Sequence, residues 1–257
     1  MSAPARNRAS FPGLFVAGTD TGVGKTEVAC ALLRHARNRG FRSIPFKPAE
    51  TDANPYPLDA LRLHEAAQPP IPAALICLYP LPLPAAPQAA ATQAGIAVSG
   101  EQILQRAQEL AAAGDALLVE AAGGLLVPYA PDLTGADLAH LLGLPILLVA
   151  RTGLGTINHV ALTVNELRRR RLPLHGLILS RTTPRPGPHE TTNLSLIRQL
   201  TGLDAFGVLP HVPDPTPAKL AEALVTALTP QALERLMAPL ISLPSPSPQS
   251  ARAGRPR

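Results

Sequence analysis

The sequence predicts a single α/β domain, a mostly parallel sheet covered by helices on both faces. Two observations predict it. Short apolar runs of strand length alternate with longer segments of helical periodicity, the pattern of strands buried on both sides. The first run also enters a helix through a glycine-rich turn, Gly18-Thr19-Asp20-Thr21-Gly22-Val23-Gly24-Lys25-Thr26. Turns of this kind open at the carboxyl edge of such sheets. The 257 residues, 46% hydrophobic and 16% charged, are enough for one domain with a sizeable core.

In chain order, the run LFVAG gives a first strand over 12–17, and EVACALLRHAR gives a helix over 25–39 that Gly40 closes. A strand over 42–47 and a helix over 58–67 follow. Residues 69–90 are rich in proline and read as a loop or an interrupted strand with poor hydrogen-bonding capacity. Ser99 and Gln102 have capping-box spacing before a helix over 100–113, which Gly114 ends. A strand over 115–120 finishes in Glu120. Thr134 and Asp137 repeat the capping spacing before a helix over 135–142, and 144–150 is the next strand. A helix over 156–171 ends in the run Arg168 to Arg171, where cations suit the helix dipole. A strand over 174–180, a helix over 189–201, a strand over 205–209 and a helix over 216–228 complete the series. Residues 1–11 read as a disordered start and the Ser/Pro/Arg-rich 242–257 as a disordered tail, leaving one domain over 12–241 without internal repeats.

The net charge is +5 and the pI about 9.8, with Arg6, Arg8, Arg252, Arg255 and Arg257 near the ends. Aromatic residues are only 3% and tryptophan is absent, which argues against a nucleic-acid partner held by base stacking. Cys30 and Cys77 form neither a CxxC pair nor a disulfide framework, so both read as small core residues in a reducing compartment. The longest apolar runs, such as Leu144 to Ala150, are strand-sized, and the first residues lack the apolar stretch of a signal peptide. The expectation is a cytoplasmic protein with no membrane partner.

The Gly18–Thr26 turn has the chemistry of a phosphate-binding loop. Glycines let successive backbone N–H groups face phosphate oxygens, and the helix N-terminus adds positive partial charge there. Lys25 brings an ammonium to the terminal phosphates, and the Thr26 hydroxyl suits Mg²⁺. Five residues, rather than the usual four, separate Gly18 from Gly24-Lys25-Thr26. Glu120, closing the apolar strand Leu117-Leu118-Val119, faces the same edge and is a candidate ligand to that metal, directly or through water. The fold is therefore P-loop NTPase-like.

Five segments together resemble one family. The loop, with its Thr-Asp-Thr and its five-residue spacing, is similar to the modified phosphate loop of the dethiobiotin synthetases. Phe46-Lys47-Pro48, Asp59-Ala60-Leu61, Glu120-Ala121-Ala122-Gly123-Gly124 with Val127-Pro128, and Gly155-Thr156-Ile157-Asn158-His159 follow in that family's order. The resemblance implies a homodimer that uses ATP and Mg²⁺ to join CO₂ to 7,8-diaminononanoate. The route runs through a carbamate and a carbamic–phosphoric anhydride. It further implies that Lys47 and Lys25 stabilise the moving charge, and that Thr26, Asp59 and Glu120 hold Mg²⁺. Nucleotide contacts are implied for Thr21, Gly22, Val23, Gly24, Glu27, Ala121, Ala122, Gly123, Ser180, Arg181, Pro210, His211 and Val212. Thr51, Gly155 and Asn158 would meet the substrate, the last two across the dimer.

The chain departs from the family pattern at Glu50, Ala121, Leu83, Gln88 and Ser180. Glu50 places an anion beside a site for anions; it turns outward, binds metal or attracts the diamine's ammonium groups. Ala121 narrows a close backbone approach, and Ser180 stands where many members carry an adenine-reading Asn. Two other readings are a nucleotide-driven switch of the partition or metal-insertion type and a diverged paralogue acting on another amine. The switch would carry a second lysine early in the loop, where this chain has Thr19 and Asp20.

Overall fold

The computed structural model describes residues 11–241. Of the segments expected to be disordered, 1–11 and 242–257, residues 1–10 and 242–257 lie outside the described residues, whereas Phe11 packs against the core. In chain order the elements are β1 (Gly13–Gly18), α1 (Lys25–Asn38), β2 (Ser43–Thr51), α2 (Leu58–Ala67), β3 (Cys77–Leu81), α3 (Pro87–Gln93), α4 (Gly100–Ala111), β4 (Ala116–Gly124), β5 (Pro128–Ala130), β6 (Leu133–Thr134), α5 (Gly135–Leu142), β7 (Ile146–Arg151), α6 (Thr156–Arg169), β8 (Leu174–Ser180), α7 (Glu190–Thr201), β9 (Ala205–Leu209), α8 (Pro217–Ala227) and α9 (Pro230–Ile241).

Seven parallel strands form one sheet in the order β3-β2-β4-β1-β7-β8-β9. Strand alternation sorts its apolar residues onto two faces. Leu14 and Val16 of β1 join a core with α1, α8 and α9, while Phe15 and Ala17 join the opposite core with α4 and α5. Leu148, Ala150, Leu177 and Leu179 meet α6 and α7 in a third cluster. From β1 the chain moves outward to β2 and β3, returns to β4, then crosses to β7 on the other side. The carboxyl end of β1 is thus a topological switch point, where open sheets of this kind leave a crevice.

The structure corrects the sequence reading in five places. Strand β2 runs to Thr51, because β3 pairs with it from Lys47↔Cys77 to Thr51↔Leu81. The proline-rich stretch therefore holds a strand and a helix, β3 and α3. Pro80 is tolerated because β3 is an edge strand, which needs donors on one side only. Strand β4 continues past Glu120 to Gly124, paired there with Gly18. A short antiparallel hairpin, β5–β6, and the last helix α9 also went unpredicted.

Candidate active site at the switch point

The phosphate loop leaves β1 and ends on Gly24, the N-cap of α1, at φ 89° in the left-handed region. No side chain caps this helix start, so its first-turn amides are free to meet an anion. Glycine is required here for space as well, since a Cβ at position 24 would lie 2.3 Å from the Ser180 Oγ. Lys25 is buried and donates from Nζ to the Asp20 carbonyl at 2.9 Å, folding back over its own loop. Burial lowers its pKa to about 8, with Lys47 adding to the effect and Glu120 opposing it.

Two strands and a helix bring charged groups to one point beside the loop. Glu120, from β4, is fully buried; Lys47, from β2, is 3% exposed and donates to it. Lys47 Nζ also donates to Asp59 Oδ2, from α2, at 3.0 Å. Thr26 Oγ1 donates to Glu120 Oε1 at 2.9 Å. Burial alone would lower the pKa of Lys47, but the charges of Glu120 and Asp59 outweigh it and raise it. Burial works against an ionised Asp59 as well, yet Lys47 holds its carboxyl below the usual range. For Glu120 burial prevails and pushes the pKa up, against the pull of Lys47.

Thr26, Asp59 and Glu120 thus offer a hydroxyl and two carboxylates around one cation position. The second oxygen of Glu120, Oε2, is buried without a hydrogen-bond partner. An orphaned buried carboxylate oxygen fits a hard divalent cation. Among the described residues no three His, Cys, Asp or Glu side chains gather as a complete metal cage. Mg²⁺ ordinarily takes one or two carboxylates and completes its shell with water and substrate phosphates.

These groups line a cleft of about 660 Å³. On the loop side it is bounded by Thr21, Gly22, Gly24 and Glu27, and beyond β4 by Ala122 and Gly123. Thr51 faces it from β2. An adjoining groove of about 380 Å³ shares Gly22, Gly24 and Glu27 with the cleft. It is walled by Ser180, Arg181, Pro210, His211 and Val212, which sequence reasoning placed near the nucleotide base. Four predicted residues lie elsewhere. Val23 is buried in the first core and the Ala121 methyl in the second, so Ala121 does not narrow the cleft. Gly155, the N-cap of α6, and Asn158 in its first turn line neither space. Leu83 packs partly buried against the second core, and Gln88 lies in the first turn of α3.

Sequence reasoning missed two contributors and the bonding of a third, Glu50. Pro84 to Pro87 form a wall of the cleft, between β3 and α3. Arg62 lines it and bonds Glu27 Oε1 at 3.0 Å, tying α2 to α1; its position three residues after Asp59 on a helix was the available signal. Glu50 proves to be a buried acceptor for α2, with Asp59 N–H at 2.7 Å from Oε1 and Ala60 N–H at 2.9 Å from Oε2. It neither turns outward nor awaits a ligand with both oxygens free. Cys30 and Cys77 are free and buried, the latter pushed up to about 12 by burial, as inert core thiols are.

The parallel sheet, the open loop at the switch point and the paired Lys47 and Glu120 define a P-loop NTPase-type enzyme site. Comparisons carry the assignment further. A family model described as an AAA domain matches residues 12–219. The ATP-dependent dethiobiotin synthetase of Anaeromyxobacter dehalogenans (strain 2CP-C) is 49% identical over 217 residues, 84% of this chain and 96% of that protein. That of Xanthomonas oryzae pv. oryzae (strain PXO99A) is 35% identical over 218 residues, 83% of this chain and 97% of that one. A chain of the MinC:MinD cell division protein complex of Aquifex aeolicus shares the fold, with TM-score 0.53 and 14% identity, over 85% of this chain and 98% of that one. This chain belongs to the dethiobiotin synthetase family.

Proposed function

We propose that the cleft closes 7,8-diaminononanoate and CO₂ into the cyclic urea of dethiobiotin at the expense of ATP, with Mg²⁺ bound by Thr26, Asp59 and Glu120. The observation that carries this reading is Lys47. A switch NTPase has no need of a buried ammonium on the neighbouring strand, held between two carboxylates beside the phosphate loop. One substrate amine adds to CO₂ and loses a proton to give a carbamate. A carbamate oxygen attacks the γ-phosphorus and ADP leaves. The second amine attacks the carbonyl carbon, and phosphate departs with the oxygen that bridged carbon and phosphorus. Lys25 and Lys47 lie where negative charge passes between carbamate and phosphate, and they act by position and charge. Bound Mg²⁺ would neutralise phosphate charge.

The substrate's far end is supplied from a second copy of the chain in this reading. Gly155 and Asn158 lie outside the cleft, at the uncapped start of α6. Around them Leu126, Leu154 and Leu162 are exposed at 49%, 87% and 61%, an apolar surface that suits a homodimer contact. No helix among the described residues is long and apolar enough to cross a membrane, in keeping with an expected cytoplasmic location.

The test is phosphate release from ATP and from CTP, with Mg²⁺ and bicarbonate, with and without the diamine. Release that requires the diamine and yields a cyclic urea is the expected result. Release indifferent to the diamine would contradict it.

A further inference from the structure

Helix α2 begins without a cap of its own. Its N-cap is Pro57, and no side chain of that residue accepts from the first turn. The amides of a first helical turn have no acceptor within the helix. Glu50 supplies two, through Asp59 N–H to Oε1 (2.7 Å) and Ala60 N–H to Oε2 (2.9 Å). A carboxylate there also faces the positive end of the helix dipole. Glu50 is 5% exposed, so these bonds form away from competing water.

The placement along the chain matters as much as the bonds. Glu50 and Lys47 stand on the same strand, β2, stiffened there by its pairing with β3 at Lys47↔Cys77 and Glu50↔Pro80. One rigid element therefore carries the ammonium that meets the Asp59 carboxylate and the carboxylate that meets the Asp59 backbone. The loop between, 52–57, contains Pro55 and Pro57 and offers α2 no side-chain cap. We propose that Glu50 is a positioning residue: by holding the Asp59 and Ala60 amides it sets the Asp59 carboxylate where it serves Lys47 and the nucleotide-bound metal. This inference rests on the magnesium reading of the cleft.

The test uses the full chain and measures ATP binding across a Mg²⁺ titration, ATP binding in chelator, and kcat and KM for the diamine. The variants are Glu50→Gln, Glu50→Ala, Asp59→Asn and the Glu50→Ala/Asp59→Asn pair. Glu50→Ala should raise the Mg²⁺ concentration for half-maximal binding about tenfold, as loss of a ligand's supporting partner does. Binding in chelator should hold, and kcat should fall while KM moves little. Glu50→Gln, which keeps one acceptor oxygen, should fall between. In the Asp59→Asn background Glu50→Ala should add nothing, because residues acting through one group are not additive. An unchanged Mg²⁺ titration, a fully additive double variant, or a rise in KM alone would overturn the proposal. Should Glu50→Ala fail to unfold cooperatively, Glu50→Gln is judged by the same criteria. ATP binding by the wild type that ignores Mg²⁺ would instead sink the magnesium reading, and this inference with it.

Discussion

The two halves of the crevice are built in different ways. At one end, Lys47, Asp59 and Glu120 come from separate elements and, with Thr26 of α1, bond one another in a largely buried cluster, while Lys25 folds back onto its own loop. At the base end, the groove is walled by loop segments over 210–215 and by Ser180. Its one long cation is already occupied, since Arg181 gives Nε and Nη2 to both oxygens of Glu190 at 3.0 and 2.6 Å. In the proposed reaction the charges of the first half act on the phosphates, whereas in the second half Arg181 and Glu190 pair with each other. Removal of a buried partner is costly because it strands the other charge; Arg181 and Glu190 are also mostly buried, but their charges meet each other, so their loss bears on the wall and not on the reaction. Substitutions should therefore be severe at one end and mild at the other.

Lys47→Ala should show the largest effect. Turnover should fall by about 10²–10³-fold, the scale for loss of a preorganised charge stabiliser, while ATP binding is largely kept. Single-turnover kinetics beside equilibrium binding would separate the two, and wild-type turnover would remove Lys47 from the chemistry. Glu120→Gln comes next. It should raise the Mg²⁺ requirement by about tenfold or more, seen as a shifted Mg²⁺ titration of phosphate release.

The third effect depends on pH. With no ligand bound, burial first and Lys47 second hold the Lys25 pKa down at about 8. Phosphate oxygens restore its proton, so above pH 8 ATP binding takes one up. ATP affinity measured in chelator should be flat below pH 8 and weaken by up to about tenfold per pH unit above it. A profile flat to pH 10 would show that Lys25 keeps its proton in the free protein. The mildest change is Arg181→Ala, expected to alter ATP affinity by less than roughly threefold, because its guanidinium is committed to Glu190. A loss as large as that of Glu120→Gln would erase the distinction between the two ends.

What the sequence made legible follows the same division. Lys25 and Thr26 open α1 after a glycine-rich turn, and Lys47 and Glu120 close apolar runs of sequence, so local pattern located them, although both strands run on past these residues. Glu50 was opaque because its partner amides are nine and ten residues away. The one local hint was that α2 starts at a proline with no capping side chain. The β5–β6 hairpin was too short for its period to register. Strand β3 was hidden by Pro80, which only an edge position permits. Helix α9 could have been read: Leu233, Leu236, Met237 and Leu240 recur at helical spacing and are all buried. Proline is by rule a helix breaker, but Pro230 sits in the first turn, where it fits, and Pro239 falls only in the last turn.

The most direct test of a carbamate attacking the γ-phosphate is an oxygen-transfer measurement. In a single turnover begun with ¹⁸O-labelled CO₂ and unlabelled ATP, one labelled oxygen should appear in the released phosphate, because the oxygen joining carbon to phosphorus leaves with phosphorus. Phosphate free of label, while the cyclic urea still forms, would mean that ATP is not spent on the carbamate and would contradict the account.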